Sequence, residues 1–111
     1  MRNQGRSLKK ARVFPGEASN VDKFKVLLLS QAQKSYRKAS KDLVYGLNKC
    51  FEDLETNPFH GANIKLLKTS QTSRVYRYRI GDYRVIYDIH QDSKTVAVHL
   101  ILPRKDAYRH F

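Results

Sequence analysis

An α+β domain, with two helices laid on one face of a mainly antiparallel sheet, is the fold class this sequence predicts. The observations behind it are an apolar run at 24–29, two helical stretches between 30 and 57, and runs of alternating polarity from residue 64 onward. Together they give the order β-α-α-β-β-β, with one further strand at the end.

The run 24–29 is short and apolar enough to be a central strand. Residues 30–39, rich in Gln, Lys and Arg, form a first helix. Ser40 is the N-cap of a second, with Asp42 in its first turn. Leu43, Leu47, Cys50, Phe51 and Leu54 recur at spacings that line one helix face. Asn57-Pro58 ends that helix, because the residue before proline is pushed out of the α region. After the turn at Pro58 to Gly61 the spacing becomes alternate, giving strands at 64–68, 74–80, 83–90 and 95–102.

Gly81-Asp82 reads as a two-residue hairpin turn, with glycine supplying the positive φ. That turn pairs Ile80 with Tyr83, Arg79 with Arg84, Tyr78 with Val85 and Arg77 with Ile86. Alternation then divides the sheet. Tyr76, Tyr78, Val85, Tyr87 and Ile89 share the face that the helices cover, and Arg77, Arg79 and Arg84 share the other. An even-length loop around Asp92-Ser93 adds Val96, Val98 and Leu100 to the apolar face, and Ala97, His99 and Ile101 to the arginine face.

Twenty-two Lys and Arg stand against ten Asp and Glu in 111 residues, for a net charge of +12 and a pI near 10.0. Such an excess attracts polyanions, since each phosphate neutralised releases counterions. Nucleic acid and an acidic protein both fit. Residues 1–22 read as a basic arm too poor in apolar groups to offset its ordering entropy. The domain proper then spans 23–111. The lone Cys50 allows no intrachain disulfide and falls on the helix's apolar face, as a buried thiol does. No apolar stretch approaches the length of a membrane span, and no apolar core follows the basic N-terminus as in a signal peptide. The expected location is cytoplasmic, with no membrane partner.

Like charges directly opposed across a ladder are destabilising, so Arg79 facing Arg84 calls for a use. One reading is a solvated face, its arginines splayed to water or paired to Asp88. The other is an anion site, since planar guanidinium groups match phosphate in pairs of hydrogen bonds. Arg104, Lys105, Tyr108, Arg109 and His110 follow the last strand and extend the basic surface. Tyr108 has the options of core packing, stacking on a base, or proton exchange. His99 and His110 are each a possible acid or base, or bystanders.

Other chemistries find no pattern. The His and Cys residues lack zinc spacing, and Gly-rich phosphate loops and GxSxG elbows are absent. The carboxylates are too dispersed for a two-metal nuclease. The sequence thus implies no metal and no cofactor. A phosphodiester cut here would use the RNA 2′-OH in an in-line attack, with guanidinium groups stabilising the developing charge.

Asn57-Pro58-Phe59, the run from Lys65 to Lys68, the segment from Arg77 to Ile89 and the closing segment from Pro103 to Arg109 resemble the RelE-type toxins of toxin–antitoxin systems. The likeness runs from about Phe24 to Arg109. It implies a ribosome-dependent mRNA endonuclease that cleaves in the ribosomal A site and leaves a 2′,3′-cyclic phosphate. By motif, Arg77 and Arg79 match the sheet cations of those toxins and Arg84 the central arginine. Arg104 and Tyr108 match the C-terminal pair, and these five form the expected catalytic set. Lys65, Lys68, Arg77, Arg79, His99, Lys105 and Arg109 are the expected RNA contacts. Arginine carries protons poorly at neutral pH, which leaves the general base unidentified. The resemblance also implies an acidic antitoxin, an oligomer formed with it, and the ribosome and mRNA as partners. ParE-type toxins, which inhibit DNA gyrase, share the fold, and a non-enzymatic RNA- or ribosome-binding module is a third alternative.

Overall fold

The computed structural model describes residues 12–13, 23–70 and 74–110, with backbone only at 12–13 and 108–110. Strand β1 (Arg12–Val13) precedes β2 (Lys25–Leu28), helix α1 (Ser30–Lys38) and helix α2 (Lys41–Thr56). Strands β3 (Ile64–Thr69), β4 (Arg74–Ile80), β5 (Tyr83–His90) and β6 (Thr95–Pro103) follow, and helix α3 (Arg104–His110) closes the chain. The sheet order is β1-β2-β6-β5-β4-β3. Only β2 and β6 run parallel among these neighbours; every other pair is antiparallel. Arg12–Val13, within the segment read as an arm, pairs with β2, and the rest of that segment lies outside the described residues.

The helices start and stop where their residues dictate. Ser40 caps α2 by accepting a hydrogen bond from the Leu43 backbone N–H at 3.2 Å. Asn57 ends it in extended geometry and turns the chain, its Oδ1 accepting from the N–H groups of Phe59 and His60. Leu47, Cys50, Phe51 and Leu54 are fully buried against Val26, Leu28, Tyr76, Tyr78, Val85, Tyr87, Val96 and Val98. Tyr76 stacks on Tyr87 with ring centres 5.5 Å apart, and Phe59 meets Tyr76 edge-on. Each buried phenol whose bond is seen is satisfied: Tyr87 donates to the Pro58 carbonyl at 2.7 Å, and Tyr78 to the Asp53 carboxylate.

The hairpin register is the one the Gly81-Asp82 turn predicts. Gly81 has φ of 52°, and Arg79 faces Arg84 across the ladder. The strand after it departs from expectation. The four-residue turn at 91–94 keeps Ile89 opposite Val96 and Tyr87 opposite Val98, but a β-bulge then sets Ile86 opposite Leu100 and Val85 opposite Ile101. Beyond the bulge the faces exchange. Ile101, expected among the arginines, is 3 % exposed in the core, and Leu100, expected in the core, joins Ile86 on the far face. A second bulge in β3, between Leu66 and Lys68, has a similar effect at the sheet edge.

Candidate nucleic-acid interface

The face away from the long helices gathers cations strand by strand. Lys65 of β3 lies opposite Arg77 of β4, which lies opposite Ile86 of β5. Lys65 and Lys68 are three positions apart, so plain alternation would send them to opposite faces. The bulge between them places Lys68 opposite Val75, and so on the same face as Lys65. Arg79 and Arg84 form the next row toward the hairpin. Five of the expected site residues thus share one surface: Lys65, Lys68, Arg77, Arg79 and Arg84.

Their environments differ. Arg77 is half-buried and donates from Nη1 to the Asn63 carbonyl at 2.8 Å. Arg79 is exposed, while its backbone N–H donates to the same carbonyl at 2.9 Å. Arg84 is only 6 % exposed. Its Nη1 donates to the carbonyls of Gly81 at 2.8 Å and Tyr83 at 2.9 Å, drawing the guanidinium onto the hairpin end. Its Nε–H is buried without a partner among the described residues. A guanidinium held at one end with a buried donor unspent at Nε is the kind of fixed donor an anion site requires.

The C-terminal residues join at the hairpin tip. The Arg104 backbone N–H donates to the Asp82 carbonyl at 2.7 Å, and α3 packs along β5 and β6 with Ala107 buried. Arg104 and Lys105 are exposed. Tyr108 and Arg109 lie on α3, but their side chains fall outside the described residues, as does that of His110.

Sequence reasoning did not find the cluster at the other end of this face. Asp88 Oδ1 lies 3.2 Å from His90 Nε2 and 3.3 Å from His99 Nε2. Asp88, weighed from sequence as a partner for the arginines, meets these histidines instead. His90 was discoverable, since it follows Asp88 by two residues on one strand and so shares its face. His99 comes to Asp88 through the bulge. Beside the cluster is a depression of about 500 Å³, with Leu29, Val75, Ile86 and Leu100 as apolar lining and Ser30, Gln31, Asp88 and His99 as polar lining. Among the described residues, no group of three or more His, Cys, Asp or Glu side chains is placed to hold a metal ion. No helix among them is long and apolar enough to cross a membrane.

A sheet with this strand order, helices on one face and cations on the other defines a toxin fold. Residues 26–108 match the family described as ParE toxin of type II toxin–antitoxin system, parDE, and the chain belongs to that family, within the RelE/ParE toxin superfamily. A protein named toxin RelE1 from Methanocaldococcus jannaschii is 26 % identical over 87 residues, covering 78 % of this chain and 97 % of the relative. RelE in the archaeal RelE–RelB complex from Pyrococcus horikoshii is similar at 25 % identity and a TM-score of 0.67, covering 74 % of this chain and 96 % of that one. The isolated E. coli RelE toxin shares the fold at 19 % identity and a TM-score of 0.58, covering 79 % of this chain and 97 % of that one.

Proposed function

We propose that this toxin is a ribosome-dependent mRNA endonuclease that cuts without a metal ion, through attack of an RNA 2′-OH on the adjacent phosphate. The observation that carries the reading is the convergence of Lys65, Lys68, Arg77, Arg79 and Arg84 on one rigid sheet face. Lys65, Lys68 and Arg79 hold the RNA backbone, with His99, Lys105 and Arg109 as further contacts. Arg77 and Arg84, each anchored at one end of the guanidinium, meet the scissile phosphate as its charge grows. Arg104 adds a cation at the hairpin tip, and Tyr108 stacks on a base or passes a proton. The solved RelE–RelB complexes among its structural neighbours support an antitoxin partner here too, and the +12 charge favours an acidic one.

The test is a brief induction in cells, followed by mapping of mRNA ends on translated and untranslated copies of one transcript. Cleavage confined to the translated copy is expected, because the ribosome orients the RNA that the arginines cannot orient alone. The matched family carries the ParE name, so DNA damage at gyrase is scored in parallel. Gyrase-dependent damage with intact mRNA would replace this reading by gyrase inhibition.

A further inference from the structure

An arginine face binds and stabilises phosphate, but leaves open what removes the 2′ proton. Resting on the nuclease reading above, we propose that His99 is the general base, with Asp88 as its positioning residue.

The β6 bulge supplies the first argument. Val98 pairs with Tyr87 and Leu100 with Ile86, so His99 is the extra residue, excluded from the ladder. Bulges recur beside active sites because they turn one side chain out of the alternation. Plain alternation already carries His99 to the cationic face; the bulge frees it from the ladder there and brings Leu100 to the same side. His99 is 44 % exposed, which suits a group that must meet substrate, whereas the Asp88 side chain is 17 % exposed.

Asp88 supplies the second. Both imidazoles lie within 3.3 Å of its Oδ1, yet neither contact is aligned as a hydrogen bond, and that buried oxygen has no other bond among the described residues. A buried carboxylate oxygen left so is costly. An imidazole that takes up a proton beside it turns a charge contact into an ion pair. The arrangement sets a carboxylate against the ring that proton abstraction would charge.

Position separates His99 from His90. Arg77, Ile86 and Leu100 form one cross-strand row, and His99 lines the depression with the last two. His90 pairs with Thr95, two same-face rows beyond Ile86 from the hairpin, and does not line it. Arg77 and His99 stand about two strand spacings apart, roughly 10 Å at the backbone. That leaves room for a ribose–phosphate between guanidinium and imidazole. Among the described residues, the other ionisable groups on this face are Asp88, His90 and Arg84 on β5, Arg77 and Arg79 on β4, Lys65 and Lys68 on β3 and Lys25 on β2, and the lining residues from α1, Ser30 and Gln31, carry no charge.

The step balances without further reagents. The 2′ oxygen bonds to phosphorus as its proton passes to the ring nitrogen of His99 turned away from Asp88. The bond from phosphorus to the 5′ oxygen breaks with its electron pair, that oxygen takes a proton from water, and the hydroxide left takes the proton held by His99, which restores the base. One strand ends in a 2′,3′-cyclic phosphate and the next begins with a 5′ hydroxyl.

The experiment is single-turnover cleavage of ribosome-bound mRNA by the wild-type chain and by His99→Gln, His90→Gln and Asp88→Asn, with melting and ribosome co-sedimentation checked for each. Between about pH 5 and 8, where imidazole changes charge, the wild-type rate should rise and level off. His99→Gln should be slower on the order of a hundredfold or more, lose that rise, and still bind ribosomes. His90→Gln should stay within a few-fold, and Asp88→Asn should be slow with a displaced pH profile. Cleavage by folded His99→Gln at the wild-type rate and with the wild-type profile overturns the proposal while leaving the nuclease reading intact. Loss of the pH-dependent limb in His90→Gln instead overturns it in favour of the other ring. A folded wild-type protein that cuts no ribosome-bound mRNA overturns both readings.

Discussion

Arg79 and Arg84 stand opposite one another across the β4–β5 ladder, yet one lies in water and the other is 6 % exposed, bonded to the carbonyls of its own turn. The expected repulsion is met by separating the charges: Arg84 folds back onto Gly81 and Tyr83 while Arg79 reaches outward. Arg84 therefore holds the hairpin as well as belonging to the cationic face. Arg84→Ala should lose cleavage on the order of a hundredfold or more and also some stability, about 1–3 kcal/mol for the charged hydrogen bonds. Sequence alone predicts a neutral or stabilising change from relief of the like-charge pair. Arg79→Ala should melt near the wild type and weaken ribosome binding. Melting curves for both variants, beside cleavage and co-sedimentation, separate these outcomes; equal melting temperatures for the two would refute the hairpin role.

The core phenols and thiol predict behaviour in alkali. Burial, reinforced by the bond to Asp53, pushes the Tyr78 hydroxyl well above the usual tyrosine range, and burial does the same to Tyr87. A group whose folded pKa is raised contributes stability that is complete below its unfolded value, about 10 for tyrosine. That contribution is lost as pH climbs beyond it, because only the unfolded chain can ionise. Stability should fall above about pH 10, and less steeply in Tyr87→Phe, which itself gives up a hydrogen bond worth about 1 kcal/mol. Phenolate absorbance should show Tyr78 and Tyr87 titrating only as the fold opens. Smooth titration of all seven tyrosines in the folded protein would contradict this. Burial, with the Asp53 charge nearby, likewise raises the Cys50 thiol, so alkylating reagents should label it only after unfolding.

Gly46 tests the contact between α2 and the sheet. A Cβ built there would lie 2.7 Å from Ile80 Cγ2, the branch of a stiff side chain. Gly46→Ala gains about 1 kcal/mol of helix propensity but incurs overpacking of about 1–3 kcal/mol. The net expectation is a modest loss. Adding Ile80→Ala should restore the propensity gain, read as a positive coupling in a double-mutant cycle. Additive effects would mean that α2 shifts freely over β4.

The residues that made the fold legible are those with local consequences. Gly81-Asp82 set the β4–β5 register to the residue, Ser40 and Asn57-Pro58 bounded α2, and the spacing from Leu43 to Leu54 marked its buried side. The bulges were not legible. In Val98-His99-Leu100-Ile101 the apolar residues are interchangeable as strand formers, and nothing in their order says which one drops out of the ladder. Likewise Leu66 and Leu67 hide the shift that brings Lys68 beside Lys65. The arginine face was therefore readable from alternation, while the Asp88–His99 contact depended on the β5–β6 register around the bulge, which local pattern does not encode. Arg84 was readable as a member of that face but not as buried, because the carbonyls of Gly81 and Tyr83 that hold it come together only in the folded hairpin.

The β3 bulge gives the last prediction. Lys65 and Lys68 are exposed and share the face of Arg77 only because Leu67 is accommodated as an extra residue. They are thus proposed as backbone contacts, acting on binding rather than on the chemical step. Each phosphate contact removed should reduce the salt dependence of RNA or ribosome affinity by about one unit of logarithmic slope. Lys65→Ala and Lys68→Ala should each weaken binding by that signature and leave the single-turnover rate at saturation nearly unchanged. Arg84→Ala should do the reverse, lowering the saturated rate with a smaller change in slope. The bulge adds a sharper variant. Deleting Leu67 removes the extra residue and leaves Lys68 two positions after Lys65, so plain alternation keeps Lys68 on the cationic face and its slope contribution should survive. Melting would confirm that the edge strand still pairs, and Lys68→Ala in the deletion background should then still shallow the slope by about one unit. A salt slope unaffected by either lysine substitution would remove β3 from the RNA-binding face.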